Sequence, residues 1–215
     1  MELLFEDDHL IVVNKLPGMI TEGVPKGKNL SLSDRIEAQN GLPVYACHRL
    51  DKDTTGVVVF AKSKIALKQV FSQFSERKVR KLYLVRVDGV WESSWNRVDT
   101  LIARDTDGRM KNSDCGKKSL TTFRRLATWD KFSLLEALPK SGRTHQIRLH
   151  CLHHSCPVSG DGMYGLRDPD QPPMALHARQ LFLKHPLSGK SLILEAPLPE
   201  YWRSHWLKGC PVELT

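Results

Sequence analysis

The stretch CHRLDKDTTGVVVFAK, Cys47 to Lys62, joins two halves of opposite character. The first is dense in charge, with Asp51 between Arg49 and Lys52. The second, Gly56–Ala61, is apolar on both faces, as expected of a central strand covered on both sides. An acid among bases at the mouth of such a strand is kept in its charged form, because nearby cations favour a carboxylate. A general acid needs the opposite treatment. The setting therefore suits a nucleophile or base, with an ordinary surface salt bridge as the plainer alternative.

Outward from this strand, Leu3–Phe5 and Leu10–Asn14 read as short strands around the turn Glu6-Asp7-Asp8, and residues 23–29 (GVPKGKN) as a loop. Ser31–Gln39 reads as a short helix capped by Ser31 or Ser33. Lys64–Glu76 is the clearest helix, with Ser63 as its cap and Leu67, Val70, Phe71 and Phe74 on one face. Lys81–Asp88 alternates like a half-buried strand, and Thr121–Trp129 and Phe132–Leu138 follow as two more. Arg104–Lys118 and Arg167–Pro173 read as exposed loops. Leu181–Lys184 and Ser191–Glu195 flank HPLSGK as a hairpin. Strands outnumber helices and hairpins dominate. The fold class is α+β, a largely antiparallel sheet flanked by helices and loops, in one domain over residues 1–215.

Composition narrows the partner. Lys and Arg outnumber Asp and Glu by 32 to 24, a net charge of +8, which favours a polyanion, either nucleic acid or an acidic membrane surface. Hydrophobic residues make up 40% of the 215, enough for a real core. No apolar run approaches the ~20 residues of a membrane span. The chain opens MELLFEDDH, without a basic and then apolar leader. Five cysteines with no CxxC pair fit reduced thiols. A soluble, cytoplasmic protein is expected.

A second basic element is SGRTHQIRLH, Ser141–His150, where Arg143 and Arg148 follow a Ser-Gly turn. If Thr144 caps a helix here, the first turn offers backbone N–H groups to an anion; an ordinary basic helix face is the alternative. His145, His150, Cys151, His153, His154 and Cys156 crowd together just after it, with His150 and His154 at i and i+4. Zinc would want a paired CxxC or HExxH pattern, and neither is present, so no metal is expected. Asp51 and Asp53 lie in one basic patch, so nothing gives them the contrasting protonation that a glycosidase pair needs. With neither a P-loop nor a dinucleotide fingerprint, no nucleotide cofactor is expected.

In order along the chain, these segments resemble the RluA family of pseudouridine synthases. HRLDKDTTG (His48–Gly56) is similar to the family's nucleophile motif, with Asp51 at the catalytic position. KLYLVRVDG (Lys81–Gly89) resembles the segment that supplies an active-site tyrosine, here Tyr83. SGRTHQIRLH resembles the third motif, whose second arginine, here Arg148, pairs with the catalytic aspartate. PVSGDGMYG (Pro157–Gly165), LHARQLFLKHP (Leu176–Pro186) and the opening DDHLIVVNKLPG match as well, so the resemblance covers roughly residues 1 to 200. Two positions depart from the pattern: Thr55 stands where serine is usual, and Cys156 stands before Pro157 where histidine is common.

The resemblance implies a pseudouridine synthase catalytic domain, in a short form without the N-terminal RNA-binding module of larger members. It implies an isomerase acting on ribosomal or transfer RNA as a monomer, without metal or organic cofactor. Asp51, Tyr83 and Arg148 would be its catalytic residues. Arg49, Arg143 and the Lys62–Lys81 region are candidate phosphate contacts by charge. The competing class is a catalytically silent RNA-binding protein on the same fold, which would not require all three catalytic residues.

Overall fold

The structure is a computed structural model that describes residues 2–23, 30–166 and 168–214. Residues 24–29 of the expected loop 23–29, and Arg167 at the head of the expected loop 167–173, lie outside the described residues. The first elements are β1 (Glu2–Glu6), β2 (Leu10–Lys15), α1 (Leu32–Asn40), β3 (Tyr45–Ala46), β4 (Thr55–Ala61), α2 (Lys64–Ser75) and β5 (Arg80–Asp88). Next come β6 (Trp95–Arg104), β7 (Met110–Ser113), β8 (Lys117–Trp129) and β9 (Phe132–Pro139). Then follow α3 (Gln146–His153), β10 (Leu176–Lys184), β11 (Ser191–Glu195) and a π-helical turn, Trp202–Trp206. The α+β class and the antiparallel pairing are borne out.

The chain divides into two compact units, Met1–Lys81 with Ala178–Pro197, and Leu82–His177 with Leu198–Thr215. In the first, the strand order is β1-β2-β4-β10, with β3 on β4 and β11 on β10. Strands β2 and β4 are buried at every position, which their unbroken apolar runs dictate. Leu10, Val12, Val57 and Val59 pack on Ala66 and Val70 of α2 and on Leu181 and Leu183 of β10. Both helix caps fall where expected. Ser31 forms a full capping box with Asp34, and the Ser63 side chain accepts from the Ala66 N–H. Phe71 is a correction: it is 62% exposed, and the buried positions of α2 are Ala66 and Val70.

Three local constraints set the loop between β3 and β4. Gly56 has φ +111°, and a Cβ built there would lie 2.2 Å from the Ala178 carbonyl oxygen on β10, so only glycine fits. Thr21 brackets Leu50, its hydroxyl accepting from the Leu50 N–H at 3.2 Å and donating to the Leu50 carbonyl at 3.3 Å. Lys15, at the end of β2 and opposite Gly56 in register, is fully buried. Its ammonium donates to the Lys52 carbonyl at 2.7 Å and to the Leu16 carbonyl at 3.1 Å. Asp51 thus sits between two anchored neighbours.

The second unit has the order β5-β9-β8-β6-β7. One apolar cluster gathers Val85, Val87, Trp91, Phe123, Leu135 and Ile147 under α3. A second gathers Leu84, Leu134, Ala175, Trp202 and Trp206. The two tryptophans come from the tail beyond the segments the resemblance covers, and both are buried. Arg104–Lys118 is a second correction. It is a hairpin arm, in which β7 pairs with β6 from Leu101↔Ser113 to Arg104↔Met110. Its charged, glycine-containing composition masked the strand, since β7 (MKNS) is a short edge strand with too few apolar residues to show alternation.

Gly56→Ala should lower stability by roughly 3 kcal/mol or more, because backbone must move to admit the methyl group. Gly18→Ala, at φ 79° with open space around it, should lose only about 1–2 kcal/mol. Denaturant unfolding of the two variants checks the difference. Burial pushes the Lys15 ammonium down to about 7 from an ordinary 10.5, with Asp53 and Asp51 pulling back upward. Between pH ~7 and ~10.5 the unfolded chain therefore holds a proton at Lys15 that the folded protein has released, and stability rises with pH through that window. The stability difference between parent and Lys15→Met should accordingly grow in the parent's favour on going from pH 7 to pH 9.5, as read by urea titration at each pH.

Candidate active site

Of the side chains the sequence singles out, Arg49 and Asp51 belong to the first unit, and Tyr83, Arg143 and Arg148 to the second. Asp51 is half-buried and Arg49 exposed. The Asp51 carbonyl accepts from the Thr54 N–H at 3.1 Å, a tight turn that feeds the chain into β4. His48, at the head of the motif, accepts the Val59 N–H on Nε2 at 3.2 Å, and its ring lies 5.1 Å from that of Phe74. Burial, with Lys81 nearby, lowers its pKa, which suits a neutral imidazole acting as acceptor. The charged half of the motif is thus tied to β4 at His48, to Thr21 at Leu50 and to β2 at Lys52.

Tyr83 stands on β5 opposite Ala137 of β9, half-buried, its ring packed against the cluster that holds Val85 and Leu135. Arg148 projects from α3, and the entry to that helix differs from expectation. Its N-cap is His145, in the left-handed conformation (φ 58°) and making no side-chain cap, so Thr144 does not cap it. The Gln146 side chain ties down the turn that precedes the helix: Oε1 accepts from the Arg143 N–H at 3.1 Å and the Ser141 hydroxyl at 2.8 Å. Its Nε2 donates to the Leu120 carbonyl at 3.0 Å and to Thr121 Oγ1 at 2.9 Å. Arg143 is half-buried, and its Nε donates to the Lys118 carbonyl at 3.2 Å.

One turn further on, His150 is fully buried among hydroxyls. Thr121 Oγ1 is 2.9 Å from its Nδ1, and Ser119 Oγ and Thr100 Oγ1 are 3.0 and 3.1 Å from its Nε2. Burial pushes its pKa down to about 4, with His153 adding to the effect. Asn112 of β7 donates to the Leu149 carbonyl at 3.0 Å. Polar contacts therefore clamp α3 to β6, β7 and β8. A helix with Gln146, Arg148 and His150 all buried could not otherwise pack there.

The buried Arg148 guanidinium pairs bidentately with Asp161, Nε to Oδ2 at 2.7 Å and Nη2 to Oδ1 at 2.8 Å. Its face is covered by Tyr164, with 4.9 Å from Cζ to the ring centroid. The Tyr164 hydroxyl donates to the Met110 carbonyl at 2.9 Å and lies 2.8 Å from His145 Nδ1. His154 meets Asn96 at 3.2 Å and packs against Trp91, and burial pushes the Cys151 and Cys156 thiols upward. No set of three or more His, Cys, Asp or Glu is grouped to hold an ion among the described residues.

Lys15, Asp161 and Tyr164 were not singled out as site residues in the sequence, and His150 was weighed only as a member of the cluster considered for zinc. For Lys15 a signal existed, a lysine ending an otherwise apolar strand. Asp161 and Tyr164 lay in the quoted segment PVSGDGMYG, where nothing local distinguishes them from turn residues.

Comparison with known proteins converges on one family. The sequence profile described as RNA pseudouridylate synthase matches residues 9–153. A protein from Yersinia pestis named ribosomal large subunit pseudouridine synthase C is 36% identical over 94% of this chain and 67% of its own length. Ribosomal large subunit pseudouridine synthase D of Nitrosomonas europaea is 38% identical over 93% of this chain and 62% of its own. The chain thus spans about two thirds of the length of these curated relatives. Among solved structures, human RNA pseudouridylate synthase domain containing 4 superposes with a TM-score of 0.81 at 28% identity, over 99% of this chain and 94% of that one. The matched region takes in Asp51, Tyr83 and Arg148 together, and the chain belongs to the RNA pseudouridylate synthase family, of the RluA type.

Proposed function

We propose that the chain isomerises selected uridines of ribosomal RNA to pseudouridine, with Asp51 as the reacting carboxylate. The observation that carries this reading is the family match across residues 9–153, supported by relatives whose names specify the large ribosomal subunit. The reaction breaks the bond between the uracil nitrogen and the sugar, turns the base and rejoins it through carbon 5. One proton leaves carbon 5 and one is gained at the freed nitrogen, so no oxidant, reductant or organic cofactor is needed.

A stacked uridine must first be flipped out, at a cost of a few kcal/mol. Asp51 then acts on the sugar, and an anchored loop favours that step because the carboxylate need not be ordered when substrate arrives. Tyr83 lies against the uracil, and its phenol oxygen accepts the carbon 5 proton. Arg148 is the third catalytic residue. The net charge of +8 serves the phosphate backbone, with Arg49, Arg143 and cations of the Lys62–Lys81 region as contacts. The chain works as a monomer and a single catalytic module, in the cytoplasm where ribosomal RNA is at hand. Among the described residues no helix is long and apolar enough to cross a membrane.

Purified protein incubated with unmodified large-subunit ribosomal RNA should produce pseudouridine at discrete positions, mapped by carbodiimide-dependent reverse-transcription stops. Modification of transfer RNA alone would move the substrate assignment, and no modification of either would overturn the reading. Tyr83→Phe should bind RNA like the parent, since the ring remains, while turnover falls ~100-fold or more, as for loss of a positioned acid–base group. Parental turnover in this variant would reduce Tyr83 to a packing residue.

A further inference from the structure

Asp161 is a buried carboxylate that the reaction outlined above does not use. Its side chain has no exposure, and that of Arg148 has 9%. Its Oδ1 also accepts from the Met163 N–H at 2.9 Å and the Tyr164 N–H at 3.2 Å. Burial alone would raise its pKa; Arg148 and the two backbone donors outweigh this and hold the carboxyl below its ordinary value. Three kinds of contact meet here. The bidentate pair fixes the plane of the guanidinium, Tyr164 covers its face, and the Tyr164 hydroxyl ties that ring to β7 and to the head of α3. Of the five N–H donors of an arginine, Asp161 takes one from Nε and one from Nη2, so the guanidinium cannot rotate without breaking both bonds.

We infer that Asp161 is a positioning residue for the isomerisation, fixing the orientation of the Arg148 guanidinium. The inference rests on the function proposed above. Without the bidentate pair the plane of the guanidinium is no longer fixed by Asp161, and a misplacement of about 1 Å can cost ~100-fold in rate.

Asp161→Asn separates this role from that of a turn former. The amide oxygen can still accept from Met163 and Tyr164, whereas the amide nitrogen opposes the Arg148 donors. Single-turnover and steady-state assays on ribosomal RNA should show kcat lowered roughly 100-fold and KM changed by less than about twofold. In an Arg148→Ala background, Asp161→Asn should lower kcat no further, because the two act as one unit. Asp161→Ser, which keeps a hydroxyl acceptor for the turn without a donor amide, should show the same pattern. A folded Asp161→Asn or Asp161→Ser protein with parental kcat overturns the inference, as does a multiplicative loss in the double variant. If neither variant folds at a temperature where the parent is active, Asp161 is a folding residue and the inference is likewise overturned. An inactive parent defeats the proposed function itself, and with it this inference; an active parent beside unaffected variants defeats the inference alone.

Discussion

The ammonium of Lys15 beneath the Asp51 loop is the interaction on which the first unit's chemistry depends. Burying a lysine is costly, and here two carbonyl acceptors and the fields of Asp51 and Asp53 offset only part of that cost. The consequence is geometric. The loop cannot lift from β2 without exposing or orphaning that ammonium, and it cannot shift along β4 because Gly56 already touches the Ala178 backbone. The apolar runs of β2 and β4 supply the rigid floor, and the buried cation fixes the loop to it.

The second unit solves a similar problem with different parts. Helix α3 carries Arg148 but has little apolar asymmetry of its own: Gln146, Arg148 and His150 are all buried alongside Ile147 and Leu149. Each polar group finds a partner at a fixed place, Gln146 on Leu120 and Thr121, His150 on three hydroxyls, and Arg148 on Asp161. Satisfied networks of this kind specify orientation more sharply than apolar packing does, since a shift of about an ångström breaks several bonds together. In both units a motif residue proposed for chemistry is held by polar groups drawn from distant parts of the chain, the arrangement that a preorganised site requires.

Much of this was legible in the sequence. Val57–Phe60 announced a central strand, Ser31 and Ser63 announced their helices, and six motifs in order announced the family, because each rests on local patterning. Lys15, Asp161 and His150 were not legible as site residues, because their importance lies in partners far along the chain: Lys52, Arg148 and Thr100. Thr144 misled for a related reason. It has the chemistry of a cap, but the helix is entered one residue later through a left-handed His145, and the Gln146 N–H donates to the Arg143 carbonyl at 3.0 Å. Trp202 and Trp206 fell in a tail with no periodicity to read, and only the core they fill reveals them.

The central claim, that Asp51 performs the chemistry, is tested most directly with ribosomal RNA tritiated at carbon 5 of uridine, comparing the parent with Asp51→Asn. Tritium reaches water only when the base is rejoined through carbon 5. Asparagine has nearly the shape of aspartate, yet it can neither attack as an anion nor take a proton. The account predicts that Asp51→Asn is folded, binds the RNA at least as tightly as the parent, and releases no tritium above background. Release at the parental rate by the folded, RNA-binding variant would contradict it.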